Sequence, residues 1–117
     1  MTWEVNFHPA FYKEFQGLAP DVQDELLAHA QVLEEFGPML GRPLADTLKG
    51  SRHANMKELR FNASGGVWRT AFAFDPSRKA LLLVAGNKSG TSERRFYKQL
   101  IRKADERFDE HLSQLQR

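Results

Sequence analysis

The chain contains no cysteine. Disulfide staples, thiolate nucleophiles and zinc sites built on thiolates are therefore excluded. Long apolar runs are also missing. The longest, Ala80–Ala85, has six residues, against the roughly 20 that a membrane-spanning helix needs. The N-terminus MTWEVNFHPAF has no basic stretch leading into an apolar one, so no signal peptide is expected. The four histidines, His8, His29, His53 and His111, lack metal-ligand spacing. No metal site and no cofactor are expected. Repeats, low-complexity tracts and long linkers are absent. These absences leave the expectation of a cytoplasmic protein without a membrane contact, folded as a single domain over residues 1–117.

Acid is scarce in the middle of the chain. Residues 49–103 hold thirteen Lys and Arg against Glu58, Asp75 and Glu93, a local net of +10. Residues 1–48 hold two cations and eight acids, a net of −6, and the tail from Ala104 is −2. The modest total of +2 hides this segregation. A concentrated basic surface is the electrostatic footprint of a protein that meets phosphates. Lys49, Arg52, Lys57, Arg94, Arg95 and Lys98 are the candidate RNA-binding cations. A solvated face of scattered charges is the bland alternative, but here the cations recur at fixed places in a strand pattern.

The remaining composition supports one core: 41% apolar residues, with nine Phe and two Trp. Trp3–Phe7 alternates as a half-buried strand does. His8-Pro9 suits a helix start, with His8 as cap, and Phe11, Phe15 and Leu18 share a face of a helix ending near Gly17. Pro20-Asp21 opens a second helix with Val22, Leu26, Ala30 and Leu33 at helical spacing, closed by Gly37-Pro38. Residues 38–54 read as a long loop of the kind that is often functional. Three strands follow, Asn55–Phe61, Val67–Phe74 and Ala80–Ala85, joined by turns short enough for an antiparallel meander. Gly90-Thr-Ser-Glu93 caps a last helix whose apolar stripe is Phe96, Leu100, Ala104, Phe108, Leu112 and Leu115. The expected fold is α+β: two N-terminal helices packed on a small antiparallel sheet, in the order β-α-α-β-β-β-α.

Strand alternation then sorts the side chains. Trp68, Phe72 and Phe74 share one face, expected under the helices. The other face is expected to be an open floor of small residues, Ala71 and Ala73, carrying Glu58, Arg60 and Arg69. Lys88 lies just past the last meander strand and Tyr97 close behind on the final helix. Such a floor, with one acid and one phenol, suits a nucleic-acid backbone. Arg69 is expected to be exposed there, so that its truncation spares stability. The plainer readings are that Arg60 pairs with Glu58, that Trp3 and Trp68 are core, and that His29 and His111 sit on helix surfaces. His53, in the loop, is a lesser candidate. Gly86-Asn-Lys-Ser-Gly90 lacks the full spacing of a phosphate loop, and a strand-to-helix turn explains both glycines.

Five strings in order, Leu48-Lys-Gly-Ser51, Met56-Lys-Glu-Leu-Arg60, Val67-Trp-Arg69 with Phe72-Ala-Phe-Asp75, Ala85-Gly-Asn-Lys88, and Arg95-Phe-Tyr97 with Ala104-Asp105, resemble the RelE/ParE superfamily of type II toxin–antitoxin toxins. The HigB/RelE-like branch is the nearest in pattern. The resemblance implies a RelE-like fold and an mRNA endonuclease, acting on the ribosome or on free RNA. It also implies neutralisation by a cognate antitoxin, expected to be a helix-turn-helix protein encoded alongside. Carried over residue by residue, it points to Arg60, Arg69, Lys88 and Tyr97 as the catalytic set, with Glu58 standing where RelE has a lysine. The gap from Lys88 to Tyr97 is longer than in RelE.

RNA cleavage by its own 2′-hydroxyl needs a base for that hydroxyl, cations for the developing phosphorane and an acid for the leaving 5′-oxygen. Arg69 and Lys88 suit the charge, Arg60 a neighbouring phosphate, and Tyr97 or Glu58 the protons. Two other readings stay open: a ParE-like toxin that binds DNA gyrase without cleaving RNA, and an inert module that binds antitoxin or nucleic acid.

Overall fold

The computed structural model describes residues 2–116. The strands are β1 (Glu4–Phe7), β2 (Ala45–Thr47), β3 (Met56–Ala63), β4 (Gly66–Phe74) and β5 (Lys79–Asn87). The helices are α1 (Pro9–Gln16), α2 (Pro20–Phe36) and α3 (Glu93–Leu115). One sheet holds all five strands in the order β1-β5-β4-β3-β2. The chain starts at one edge, crosses to the other through α1 and α2, and returns by a meander until β5 pairs parallel with β1. The other three pairings are antiparallel. A parallel pair needs a long crossover, and α1, α2 and the meander supply it.

The local reasons are those expected of the residues. His8 caps α1, its Nδ1 accepting from the Ala10 N–H at 3.1 Å. Prolines open α1 and α2, where a missing N–H is harmless. The β3–β4 turn is tighter than the string Asn62–Gly66 suggests. Only Ser64 and Gly65 lie outside the strands, both with positive φ, the geometry of a two-residue hairpin.

Two features depart from the sequence reading. Residues 38–54 are not all loop: a 3₁₀ turn at Gly37–Met39 is followed by β2, which pairs with β3 and completes the sheet. Nor do the helices share one face. Phe11, Phe15, Val22, Leu26, Ala30 and Leu33 pack with Leu59, Phe61, Phe72 and Leu82 on one side. The other side is no open floor. Phe96, Leu100, Ala104 and Phe108 of α3 pack there on Met56, Ala71, Ala73, Leu81 and Leu83. The small residues of β4 make room for α3 rather than for a ligand. Two-sided burial also explains why β5 reads as a continuous apolar run. The β4–β5 register shifts beside Ala71, and Leu83 and Val84 both face α3.

Gly37 ends α2 with φ +54, and a Cβ there would fall within the Trp3 indole. Gly37→Ala is therefore expected to lower stability by about 2 kcal/mol, from left-handed strain and displacement of Trp3. Thermal melting checks this. A variant melting within a degree of the parent would show that Trp3 is loosely held.

Candidate active site

The meander brings the charged residues of β3 and β4 together. Arg60 and Arg69 are direct cross-strand partners, a like-charge juxtaposition that is unfavourable unless compensated. Glu58 compensates it. Its Oε2 accepts from Arg60 Nη1 at 2.7 Å, and its Oε1 lies 3.8 Å from Arg69 Nε. The residue opposite Glu58 is Ala71, too short to obstruct these side chains.

α3 contributes the phenol. Tyr97 lies one residue beyond Phe96, at the edge of the stripe that faces the sheet. Gly86 lets that turn approach closely, since a Cβ there would sit 2.9 Å from the Phe96 ring. The Tyr97 hydroxyl donates to Glu58 Oε1 at 2.9 Å and accepts from Arg69 Nε at 3.2 Å. Arg69 Nη1 donates to the Trp68 carbonyl at 2.9 Å, which fixes the plane of the guanidinium. The result is a chain of charge-assisted hydrogen bonds, Arg69 to Tyr97 to Glu58, with Arg60 donating from the other side.

Burial gives this chain its character. Glu58 is 3% exposed and Arg69 6%, so Arg69 is not the exposed strand residue that alternation alone suggests. The covering helix is the reason. Desolvation raises the Tyr97 phenol above its usual range, and the neighbouring Glu58 adds to it; Arg69 opposes both. Tyr97 therefore keeps its proton at neutral pH.

Lys88 stands beside the cluster, not within it. Its backbone N–H bonds the Val67 carbonyl, which places it directly past β5. Its Nζ pairs with Glu93 Oε1 at 2.9 Å and lies 5.9 Å from the Tyr97 ring centroid. An open groove of about 490 Å³ reaches Glu58 and Tyr97. Its walls include Lys49 and Arg94 together with Arg42, Asp46 and Thr47.

The six cations assigned to RNA separate. Lys49 and Arg94 line this groove. Arg94, Arg95 and Lys98 line a second groove on α3. Lys57 alternates with Glu58 and so shares the α2 face with Leu59 and Phe61, away from the cluster. Arg52 is paired with Asp109 of α3 and donates its backbone N–H to Asp105. His53 likewise pairs with Asp109, its Nε2 at 2.7 Å. Both belong to a latch between loop and helix. Ser51 donates to Asp105 Oδ1 at 2.5 Å, and Asp105 is 3% exposed. The strings Leu48–Ser51 and Ala104-Asp105 thus touch each other. Sequence reasoning missed Asp46 and Thr47 because β2 was hidden in a loop, and Glu93 because nothing local marks it as the partner of Lys88. Among the described residues, no three His, Asp or Glu side chains converge to hold a metal ion. No helix among the described residues is long and apolar enough to cross a membrane.

Known proteins resemble this chain at three levels. The family model "Phage derived protein Gp49-like" matches residues 13–109. A Mycobacterium tuberculosis protein named as toxin HigB2 is 50% identical over 101 residues, which cover 86% of this chain and 50% of that protein. A second from the same organism, named as toxin HigB3, is 39% identical over 105 residues, 90% of each chain. The chain thus spans half the length of the first relative and nearly all of the second. Among solved structures, a variant of the Escherichia coli toxin RelE in the free state superposes with a TM-score of 0.63 at 15% identity, covering 88% of this chain and 97% of that one. The RelE–RelB complex of Pyrococcus horikoshii gives a TM-score of 0.55 at 20% identity, covering 78% and 100%. At these identities the structures establish a shared fold. With the family match spanning most of its length and the HigB3 relative aligned over 90% of each chain, the chain belongs to the Gp49-like family, whose HigB-named members it resembles, and has a RelE-type fold.

Proposed function

We propose that the chain is the toxin of a type II toxin–antitoxin pair and that it cleaves mRNA by attack of the 2′-hydroxyl on the adjacent phosphodiester. The observation that carries this reading is the hydrogen-bond chain of Arg69, Tyr97, Glu58 and Arg60, which an open groove reaches at Glu58 and Tyr97. The names of the relatives supply the toxin class.

Each group has a task in such a reaction. Glu58, held between two guanidiniums, takes the 2′-hydroxyl proton as the oxygen attacks phosphorus. Arg69 and Lys88 offset the charge that develops on the phosphorane, and Arg60 holds a neighbouring phosphate through its fork. Tyr97, protonated at neutral pH, gives its proton to the departing 5′-oxygen. The 2.9 Å bond between Tyr97 and Glu58 then lets the proton gained by Glu58 return to the phenolate, restoring both groups. The products are a 2′,3′-cyclic phosphate and a 5′-hydroxyl. The groove's carboxylates, Asp46, Glu58 and Glu93, do not converge on one point among the described residues, and a two-metal site needs several that do, so the chemistry is read as metal-independent. A ribosome would present the message in the required geometry. A cognate antitoxin with acidic residues toward Arg60, Arg69 or Lys88 would silence the protein by charge complementarity.

Brief induction followed by primer extension on cellular mRNA is expected to show discrete cleavage points. Purified protein is expected to cleave RNA in EDTA and leave cyclic or 3′-phosphate ends, with the ribosome's own Mg²⁺ requirement controlled for. Strict Mg²⁺ dependence of the chemical step with 3′-hydroxyl ends would sink the mechanism. Intact mRNA with gyrase-linked DNA breaks would establish the ParE-like alternative. That alternative is disfavoured because a gyrase binder has no need of cations converging on a phenol and a carboxylate.

A further inference from the structure

The two halves of α3 treat their charges in opposite ways. In the C-terminal half nearly every charge is answered by the rest of the fold. Arg107 forks onto Glu14, Asp109 takes Arg52 and His53, Glu110 meets His8, and His111 meets Asp75. In the N-terminal half Arg94, Arg95, Lys98 and Arg102 make no ion pair and no side-chain hydrogen bond among the described residues, and all four are exposed. Arg94, Lys98 and Arg102 follow at i, i+4 and i+8, so like charges stack turn upon turn, which destabilises a helix. Arg94 and Arg95 also lie in the first turn, where the helix dipole opposes cations. No ion pair among the described residues offsets this repulsion.

We infer that this face of α3 is a track for an RNA phosphate backbone, separate from the reacting cluster and continuous with it. The track is concave, a groove of about 500 Å³ lined by Ser92, Arg94, Arg95, Lys98, Gln99 and Arg102. Arg94 lines both this groove and the one that reaches Glu58 and Tyr97, so a strand leaving the cluster meets the track without a break. Arg94 and Arg102 lie about 12 Å apart along the axis, room for consecutive phosphates of one strand. The side chains are flexible cations and an amide, with no aromatic platform to stack a base. Such a surface reads charge and not sequence. It adds affinity and steep salt dependence, and leaves the chemistry to the cluster.

This inference rests on the RNA-cleaving reading, and its test separates the two. The probes are 2′-O-methyl RNAs, which cannot undergo 2′-hydroxyl attack: a tetranucleotide, a 14-nucleotide single strand and a hairpin. The protein is compared with its Arg95→Ala/Lys98→Ala/Arg102→Ala variant, Arg94 being left in place. For the 14-mer, three lost phosphate contacts are expected to reduce the slope of log K against log[salt] by about two. The melting temperature is expected to hold or rise, since repulsion is relieved; should the triple variant melt lower, Lys98→Ala alone, expected to change the slope by about 0.7, carries the test. A larger loss on the hairpin assigns the track to structured RNA, and a larger loss on the single strand assigns it to the message itself. An unchanged slope overturns the inference, as does an equal loss on the tetranucleotide. Binding of an oligoglutamate peptide to this face without any RNA binding that depends on α3 also overturns it, in favour of an acidic protein partner. Unmodified RNA bound through α3 but never cleaved would defeat the nuclease reading and leave the track standing; cleavage with a slope indifferent to α3 would do the reverse.

Discussion

Arg69→Ala is expected to lower the rate of RNA cleavage by a factor of about 10²–10³, and to abolish growth arrest on induction. Removing one preorganised donor from a developing anion costs roughly 3–4 kcal/mol of transition-state stabilisation. Here the donor is held unusually well. The Trp68 carbonyl fixes Nη1, Tyr97 occupies Nε, and the side chain is 6% exposed.

The same burial means that the variant also loses stability, roughly 2 kcal/mol. Breaking a buried pair leaves the other charge uncompensated, though Arg60 still holds Glu58 and limits the loss. The two effects can be told apart. Adding Glu58→Gln removes the stranded charge, so the double variant is expected to regain melting temperature without regaining activity. Arg69→Lys keeps the charge but cannot serve Tyr97 and the Trp68 carbonyl from one rigid plane, and is expected to recover only part of the rate. Assays are run well below the melting point of each variant. An Arg69→Ala protein that is folded and fully toxic removes Arg69 from the mechanism. A double variant no more stable than the single one shows that buried charge is not the source of the instability.

Why alternation misjudged Arg69 shows what a sequence can convey here. Local patterns located the elements well. The α2 positions Val22, Leu26, Ala30 and Leu33 are the ones buried, and His8 and Ser92 cap where their side chains allow. Alternation also placed Glu58, Arg60 and Arg69 on one face. It could not say what lies over that face, because the docking of α3 is a tertiary event. The floor of Ala71 and Ala73 is equally compatible with an open cleft and with a helix. The amphipathic stripe of α3 required a partner, and that floor is the surface it covers. β2 escaped notice for a different reason: three residues between prolines and glycines give no periodicity to read. The pairing of Lys88 with Glu93 and of Ser51 with Asp105 depends on loop geometry, which no spacing rule encodes.

Asp105→Ala is expected to be the most damaging single truncation outside the apolar core, at about 3 kcal/mol. Asp105 sits on α3 among Leu100, Ala104 and Phe108, at a position where an apolar residue would continue the stripe. Its carboxylate instead reaches back to the segment before β3, accepting from the Ser51 hydroxyl at 2.5 Å and from the Arg52 backbone N–H at 3.1 Å. Ser51 in turn accepts from the His53 N–H at 3.0 Å, so one buried carboxylate organises three consecutive residues. Alanine leaves the Arg52 N–H and the Ser51 hydroxyl without their acceptor; hydrogen bonds to charged groups contribute about 1.5–3 kcal/mol each, and a buried donor left unmet costs about 1–3. Asparagine can accept from Ser51 but then turns an NH₂ toward the Arg52 N–H, donor against donor, so Asp105→Asn is expected to recover about half. In a domain of this size the alanine variant should melt on the order of 10 °C lower. Activity should fall further than the melting point explains, because the latched segment leads into Leu48 and Lys49 at the groove wall and into Met56 and Glu58 on β3. Denaturant melts and cleavage rates on both variants decide the matter. An Asp105→Ala protein as stable as the parent would show that α3 is held by its apolar stripe alone, and an Asp105→Asn protein indistinguishable from the parent would show that the Arg52 N–H bond contributes nothing.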